Sequence, residues 1–534
     1  HENGDPLFAF IEHFSNVEAQ EEQTDEEYQN MPPLEKVQKL LLDGDKDRLL
    51  PLVDELRHTV NPEIIVNEWL IDGMKIIGEL FGSGQMQLPF VLQSAETMKA
   101  TVDALNPYLP KQEKESETTL IIGTVKGDVH DVGKNLVDII LSNNGFKVVN
   151  VGIKAGLDTF VDKLQEHNAH ALGMSGLLVK STAVMKENLD ELQRMGIKIP
   201  VLLGGAALTK SFVDEYCRPF YDGPIFYCRD AFDGVISMQR IEKGDENNTD
   251  LPADLIKIID TSDRVEEEAV VIPPYEEIPL PAKNAFLVPP IWGRIGKSAE
   301  KLDKELIFKW INHRVLFRQR WGYKRGKQDS AKFLKYEEDV VEPTYQALKA
   351  ELVDKNIFEP IAIYAYYPCI SWDNKIYIFD KKYLYNSLEE AKNVPPLSEA
   401  IKVLEFPRQK RKPFRCIADF FANDRLDVIA FTLASSGLKI SDYERSLYDK
   451  GEFAKYYQVH GLGVELAEAL AEVLHKQIRL DLDIVPKEGH TLNDVQMKQY
   501  VGCRYSPGYA ACPDLAMNRD IFDLLNPEEF GIEL

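Results

Sequence analysis

The sequence predicts a multidomain protein: an all-α helical bundle, an α/β domain built on a doubly wound parallel sheet, and a C-terminal α+β domain. Three observations carry this. At about 150 residues per domain, 534 residues make three or four domains. The apolar period changes twice along the chain, from helical spacing to short runs alternating with amphipathic stretches, and then to an aromatic-rich pattern. Two acidic stretches without apolar periodicity interrupt the chain. The boundaries that follow are a linker over 1–30, a helical domain over 31–112, an α/β domain over 113–242, a linker over 243–283 and an α+β domain over 284–534.

Each element has its own warrant. Asn16 to Asn30 is rich in Glu, Gln, Asp and Asn and reads as solvated linker. Between Leu34 and Leu109, residues such as Ile64, Ile65, Trp69, Leu70, Met74, Ile77 and Leu80 recur at helical spacing, and Pro32-Pro33, Asn61-Pro62, Leu88-Pro89 and Asn106-Pro107 fall where helices start or stop. Strands at Leu120–Val125, Val148–Val151, Ala171–Met174, Pro200–Leu203 and Pro224–Tyr227 alternate with helices, the first over about Asp131–Asn144, which is the pattern of a parallel sheet. Lys243 to Ala282 is acidic and carries Pro273-Pro274, Pro279 and Pro281, so it reads as a semi-extended linker. Beyond it, helices are expected around Lys304–Trp310, Glu342–Lys355 and Leu462–Gln477. Strands are expected at Ile361–Tyr366, Lys375–Phe379 and Val428–Leu433, with Asp373-Asn374 as a hairpin turn.

Composition bounds the partners. With 62 Lys+Arg against 87 Asp+Glu the formal charge is −25, unsuited to phosphate neutralisation, so no nucleic-acid partner is expected. No run of about 18 apolar residues suggests a membrane span, and the N-terminus has no signal-like segment. Cys217, Cys228, Cys369, Cys416, Cys503 and Cys512 lack paired spacing, which points to a reducing, cytoplasmic setting. A first residue that is His, not Met, suggests a piece of a longer protein.

The chemistry begins after the first strand, at Gly127-Asp128-Val129-His130-Asp131-Val132-Gly133. Ligands of doubly wound sheets sit at the carboxyl ends of the strands. A histidine there, with Asp128 two residues away to orient its second nitrogen, can ligate a metal. Taken alone these seven residues read more readily as a helix-capping loop. Forty-one residues separate Gly133 from Ser175-Gly176-Leu177, and twenty-six lead from Leu177 to Gly204-Gly205. Both features fall at strand ends, where glycine lets a ligand meet the backbone.

This triple pattern resembles the cobalamin-binding signature of corrinoid-dependent methyltransferases and mutases. The resemblance implies a flavodoxin-like (Rossmann-like) cobalamin domain in which His130 is the axial cobalt ligand. Asp128 and Ser181 would complete a proton relay to it, and the cofactor's nucleotide tail would lie in a slot lined by Ser175, Gly204, Gly205 and Ala231. Gly127, Val129, Asp131, Gly133, Leu177 and Val179 would border the cofactor. The stretch Gly78 to Pro89 resembles the methyl-cap bundle of methionine synthases, with Phe81 and Leu88 shielding the reactive methyl. Gly502-Cys503-Arg504-Tyr505-Ser506-Pro507-Gly508-Tyr509-Ala510-Ala511-Cys512-Pro513 resembles the S-adenosylmethionine motif of the reactivation domain of that family, the cobalamin-dependent methionine synthases. Arg504, Ser506 and Tyr509, with Glu468 for the ligand's amine, would then bind S-adenosylmethionine.

The resemblance covers nearly the whole chain and implies the C-terminal half of such an enzyme. Methylcobalamin would be its working cofactor and S-adenosylmethionine its reactivating methyl donor. The homocysteine and folate domains, which precede the cap in the family, would be partners, and flavodoxin or a similar reductase would supply electrons. Local basic runs, Arg314, Arg318, Arg320, Lys324, Arg325 and Lys327, then Arg408, Lys410, Arg411, Lys412 and Arg415, suit such an acidic partner. There are departures from the family pattern: Val179 where a Thr is usual, Asn312 where an Asp is usual, and an end at Leu534 short of the family's closing stretch. A stand-alone corrinoid carrier and a cobalamin-sensing regulator are the alternatives. The Arg504–Pro513 motif speaks against the carrier, and the lack of a recognisable effector module speaks against the regulator.

Overall fold

The computed structural model describes residues 31–82, 85–108, 118–128, 130, 132–250, 274–278, 281, 286–325, 330–484, 502–509 and 511–533. The chain divides into two compact units, one formed by residues up to 264 with 321–333 and 447–457, the other by 265–320, 334–446 and 458–534.

The first unit opens with helices α1 (Pro33–Leu42) and α2 (Lys46–Leu56), the latter capped by the Asp45 carboxylate, which accepts from the Arg48 N–H at 3.0 Å. A helical run Pro62–Ile64 passes through a π turn, Ile65–Leu70, into α3 (Ile71–Gly82), and α4 (Leu88–Leu105) follows. Val37, Leu41, Leu49, Val53, Met74, Ile77, Val91 and Ala95 close the bundle core.

Strands β1 (Thr119–Thr124), β2 (Lys147–Asn150), β3 (Ala171–Ser175), β4 (Val201–Gly204) and β5 (Ile225–Cys228) form a parallel sheet in the order β2-β1-β3-β4-β5. Helices α5 (Val132–Asn143), α6 (Leu157–Glu166), α7 (Val179–Arg194) and α8 (Ala231–Glu242) cover it. Both faces are buried, which is why the strands read as unbroken apolar runs. Leu120, Ile122, Leu202 and Phe226 share the core of the bundle, whereas Ile121, Leu172, Met174 and Leu203 pack with Phe160, Met185 and Leu189 on the other face. The register pairs Thr124 with Ser175, Ser175 with Gly204 and Gly204 with Cys228, so these strand ends form one row. The strand order reverses between β1 and β3, and a ligand crevice opens at such a switch point.

Two stretches distant in sequence pack with this unit. Gln87 donates to the Lys324 carbonyl at 2.6 Å and accepts from the Lys324 N–H at 3.2 Å. Tyr448 donates to Asp138 at 2.7 Å, and Asn135 donates to the Tyr456 hydroxyl at 2.9 Å. Sequence patterning places all of 284–534 in one domain, but these tertiary contacts leave no period to read.

In the second unit, β6 (Gly293–Lys297), β7 (Ile361–Trp372), β8 (Lys375–Ile378), β9 (Lys402–Glu405) and β10 (Asp427–Ser435) form an antiparallel sheet, β10-β7-β8-β9, with β6 also on β7. Strand β7 runs six residues past the expected Tyr366. Its Pro368 falls between the stretch paired with β6 (to Tyr366) and the stretch paired with β8 (from Cys369), a changeover where a missing N–H costs little. Asp373-Asn374 forms the expected two-residue turn, with Asp373 at φ 55°. Helix α9 (Glu342–Asp354) lies close to its expected span. Helices α10 (Leu438–Asp449), α11 (Phe453–Asp481) and α12 (Met517–Leu525) follow the last strand. The reading of Leu462–Gln477 starts α11 late, just after Gly461, since glycine disfavours helices. Gly463 instead serves packing: a Cβ there would stand 2.9 Å from Ile440.

The ends of the expected linker 243–283 are structured. Arg240 holds the Asp250 carbonyl at 2.9 Å in the first unit, while Tyr275 lies beside Trp372, centroids 6.0 Å apart, and Ile278 is buried in the second. Residues 1–30, 111–117 and 251–273 lie outside the described residues.

Candidate functional site

The switch-point crevice is organised around Asp128, whose side chain is 0% exposed. A tight turn after β1, with Gly127 at φ +83°, brings it back under the strand ends. Its Oδ1 accepts from the His130 N–H at 3.0 Å and lies 2.7 Å from His130 Nδ1. Its Oδ2 accepts from the Leu177 and Leu178 N–H groups at 2.7 and 3.3 Å and from Ser181 Oγ at 2.6 Å. Burial alone would raise this carboxyl, but the bonds from Ser181, His130 and Leu177 outweigh it and hold the group at about 2. The carboxylate is therefore ionised and accepts the Nδ1 proton, which leaves the Nε2 lone pair of a neutral His130 available. The His130 side chain is 46% exposed.

Glycines shape the crevice. Gly205, at φ +148°, approaches the β3 loop so closely that a Cβ would stand 1.8 Å from the Gly176 oxygen, and the Gly176 N–H bonds the Gly204 carbonyl at 3.3 Å. Gly127 and Gly133 face open space on their side-chain side. The Ser175 carbonyl accepts from the Val125 N–H at 3.0 Å, Leu177 is exposed, and Ala231 is buried at the start of α8. Val129, Asp131 and the side chain of Val179 lie outside the described residues. An exposed imidazole with one nitrogen engaged, beside glycines that leave space, fits one axial ligand of a cobalt corrinoid. Among the described residues no cluster of three or more His, Cys, Asp or Glu side chains could hold a metal ion.

Phe81 packs on Phe232, centroids 5.7 Å apart, and is half-buried. Leu88 is half-buried beside Gly322, its Cβ 3.5 Å from the position a Gly322 Cβ would take.

In the second unit, Arg504 Nη2 bonds Glu468 Oε2 at 3.1 Å and Glu472 Oε1 at 2.9 Å. Sequence reasoning named Glu468 and missed Glu472, although i,i+4 spacing puts both on one face of α11. Ser506 precedes a turn at Pro507-Gly508, the Gly508 N–H bonds the Cys512 carbonyl at 2.8 Å, and Tyr509 is 71% exposed. Asn312 is a helix cap, its Oδ1 accepting from the Val315 N–H at 3.2 Å. Among the described residues no hydrogen bond joins Asn312, Ser506 or Tyr509 to the Arg504 cluster. Several residues of the basic runs are engaged internally: Arg318 with Glu337, Arg320 with Glu465, and Arg408 with Asp419. Arg411 and Lys412 are exposed.

Residues 33–106 and 118–236 each match a family model described as a B12 binding domain, and residues 307–534 match that of the vitamin B12 dependent methionine synthase, activation domain. The whole chain is 38% identical to the methionine synthase of Mycobacterium tuberculosis and 37% identical to that of Mycobacterium leprae, covering 47% of each. It thus spans about half the length of the curated relatives it matches. A cobalamin-binding protein from Desulfitobacterium hafniense overlaps 39% of the chain and 98% of its own, at 27% identity and a TM-score of 0.34. Among the described residues no helix is long and apolar enough to cross a membrane. Along its length the chain thus carries, in order, two regions that match B12 binding domains and one that matches the activation domain of vitamin B12 dependent methionine synthase.

Proposed function

We propose that this chain is the cobalamin-carrying and reactivating half of a methionine synthase that moves methyl from 5-methyltetrahydrofolate to homocysteine. The carrying observation is the His130 ring, fixed through Nδ1 by buried Asp128 at the switch-point crevice, with Nε2 left for a metal. Bound cobalamin would supply a cobalt centre able to take up and give up a methyl group. His130 would hold that metal through Nε2. Asp128 keeps the ring in the Nδ1–H tautomer, and Ser181 keeps Asp128 ionised. A proton at Nε2 would make an imidazolium that Asp128 neutralises, so the same nitrogen could hold either a metal or a proton. Gly127, Gly133, Ser175, Leu177, Gly204, Gly205 and Ala231 would receive the cofactor, with Phe81 and Leu88 excluding water.

S-adenosylmethionine would bind at Arg504 through its carboxylate and at Glu468 through its amine, with Ser506 and Tyr509 at the adenosine. Two charges of opposite sign already matched to each other support this. At the family's Asp position stands Asn312, a neutral cap that adds no ionic contact. The homocysteine and folate domains would lie in the rest of the protein, a flavodoxin-like reductase would dock at cations such as Arg411 and Lys412, and the setting would be cytoplasmic.

Optical titration with cobalamin, wild type beside His130→Gly, tests the reading. A histidine-ligated spectrum lost in the variant, followed in wild type by methylation of the cofactor on adding S-adenosylmethionine and an electron donor, is the expected result. Identical spectra would remove His130 as the ligand. Binding without methylation would favour a corrinoid carrier.

A further inference from the structure

Arg504 is held by two carboxylates that differ in environment. Glu468 is 51% exposed, whereas Glu472, one turn further along α11, is 21% exposed. Both converge on the same nitrogen, Nη2, while the buried Nε–H of Arg504 has no hydrogen-bond acceptor among the described residues. A buried donor left unpaired is costly and is therefore an open valence. An amino-acid ligand completes this arrangement: its ammonium takes Glu468, and its carboxylate takes the guanidinium edge that Glu468 gives up together with the free Nε–H. Glu468 must part from Arg504 for this exchange, and Glu472 need not.

We propose that Glu472 is a positioning residue, the contact that holds the Arg504 guanidinium in place for a ligand carboxylate while Glu468 changes partner. This rests on the reading of Arg504 and Glu468 as the S-adenosylmethionine contacts. The Glu472 carboxyl lies below its usual range: burial would raise it, but the nearby His475 ring, 3.7 Å away, and the bond from Arg504 prevail.

Calorimetric titration of the intact chain with S-adenosylmethionine and with its decarboxylated analogue tests the proposal. Wild type should prefer the compound that bears the carboxylate. Glu472→Gln should weaken S-adenosylmethionine binding about tenfold, the loss of one charge-assisted alignment, with the analogue's affinity unchanged. Glu472→Asp, which keeps the charge, should recover part of the preference and covers the case in which the Gln variant does not fold. A Gln variant that keeps the wild-type preference, or that loses both ligands equally, overturns the positioning role. Failure of wild type to bind either compound, or equal binding of both, instead overturns the placement of the ligand at Arg504, and the proposal falls with it.

Discussion

Replacing Asp128 with Asn keeps the shape of the relay's central residue and removes its charge. The carboxylate takes five contacts, three on Oδ2 (Leu177, Leu178 and Ser181) and two on Oδ1 (the His130 N–H and Nδ1). An amide has one acceptor oxygen. If that oxygen faces His130, its NH2 meets two main-chain N–H groups in a buried site, at about 1–3 kcal/mol for each donor left unpaired. If it faces Leu177 and Leu178, the NH2 meets His130, and the ring can adapt by moving its proton from Nδ1 to Nε2. The second arrangement costs less, so the variant should hold the tautomer that cannot ligate a metal. The depression of the carboxyl from 3.8 to about 2 corresponds to about 2 kcal/mol. Because the folded value is the lower one, this stabilisation is complete above the unfolded pKa of 3.8 and is lost as pH falls through about 2. At pH 7 the variant should therefore be about 2 kcal/mol less stable in urea, with the gap to wild type closing below about pH 4. Proton–nitrogen spectra of the His130 ring report the tautomer. Equal stability at neutral pH, or an Nδ1–H ring in the variant, would refute the reasoning.

Gly205→Ala places a Cβ 1.8 Å from the Gly176 oxygen and should destabilise the sheet domain by about 3 kcal/mol, seen as a lowered Tm; an unchanged Tm would contradict the close approach. Gly133→Ala meets open space, so its Tm should stay within about 2 °C of wild type while cobalamin affinity falls. Unaltered affinity there would mean that the cofactor does not reach Gly133. Reversing Arg411 and Lys412 to Glu should slow reductive methylation of the cofactor at low salt and have less effect at high salt. A rate that ignores both charge and salt would place the reductase elsewhere.

The parallel sheet was legible because strands buried on both faces are unbroken apolar runs and because glycines mark their carboxyl ends. Asp128 and His130 were legible because a two-residue spacing in a turn is itself a contact. What holds Asp128 was only half visible: Ser181 has a side chain to notice, but the Leu177 and Leu178 amides leave no trace in a sequence. Strand β6, Gly293-Arg294-Ile295-Gly296-Lys297, escaped because two glycines mask its propensity, and a Cβ on Gly296 would stand 2.3 Å from the Phe530 ring that covers it. Strand β9 escaped because four edge residues make too short a period. Glu472 was readable from its spacing to Glu468, but only a folded Arg504 gives that spacing a meaning.

Asp128 and Glu472 use one physical device: a carboxylate shielded from water and kept ionised by its donors sets the orientation of a neighbouring group. The two halves of that device separate under Ser181→Ala. This change removes one 2.6 Å bond from Oδ2 but leaves the Leu177 and Leu178 N–H groups there and both His130 contacts on Oδ1. Loss of a single bond to a charged group costs about 1.5–3 kcal/mol, which should appear as lower stability and a raised Asp128 pKa. The His130 proton should stay on Nδ1, since the oxygen that receives it is untouched. Charge loss at 128 would thus move the proton, and donor loss at 181 would move only the energy. If Ser181→Ala also shifted the ring proton to Nε2, the serine would be setting the tautomer directly, and the order of the relay would have to be reversed.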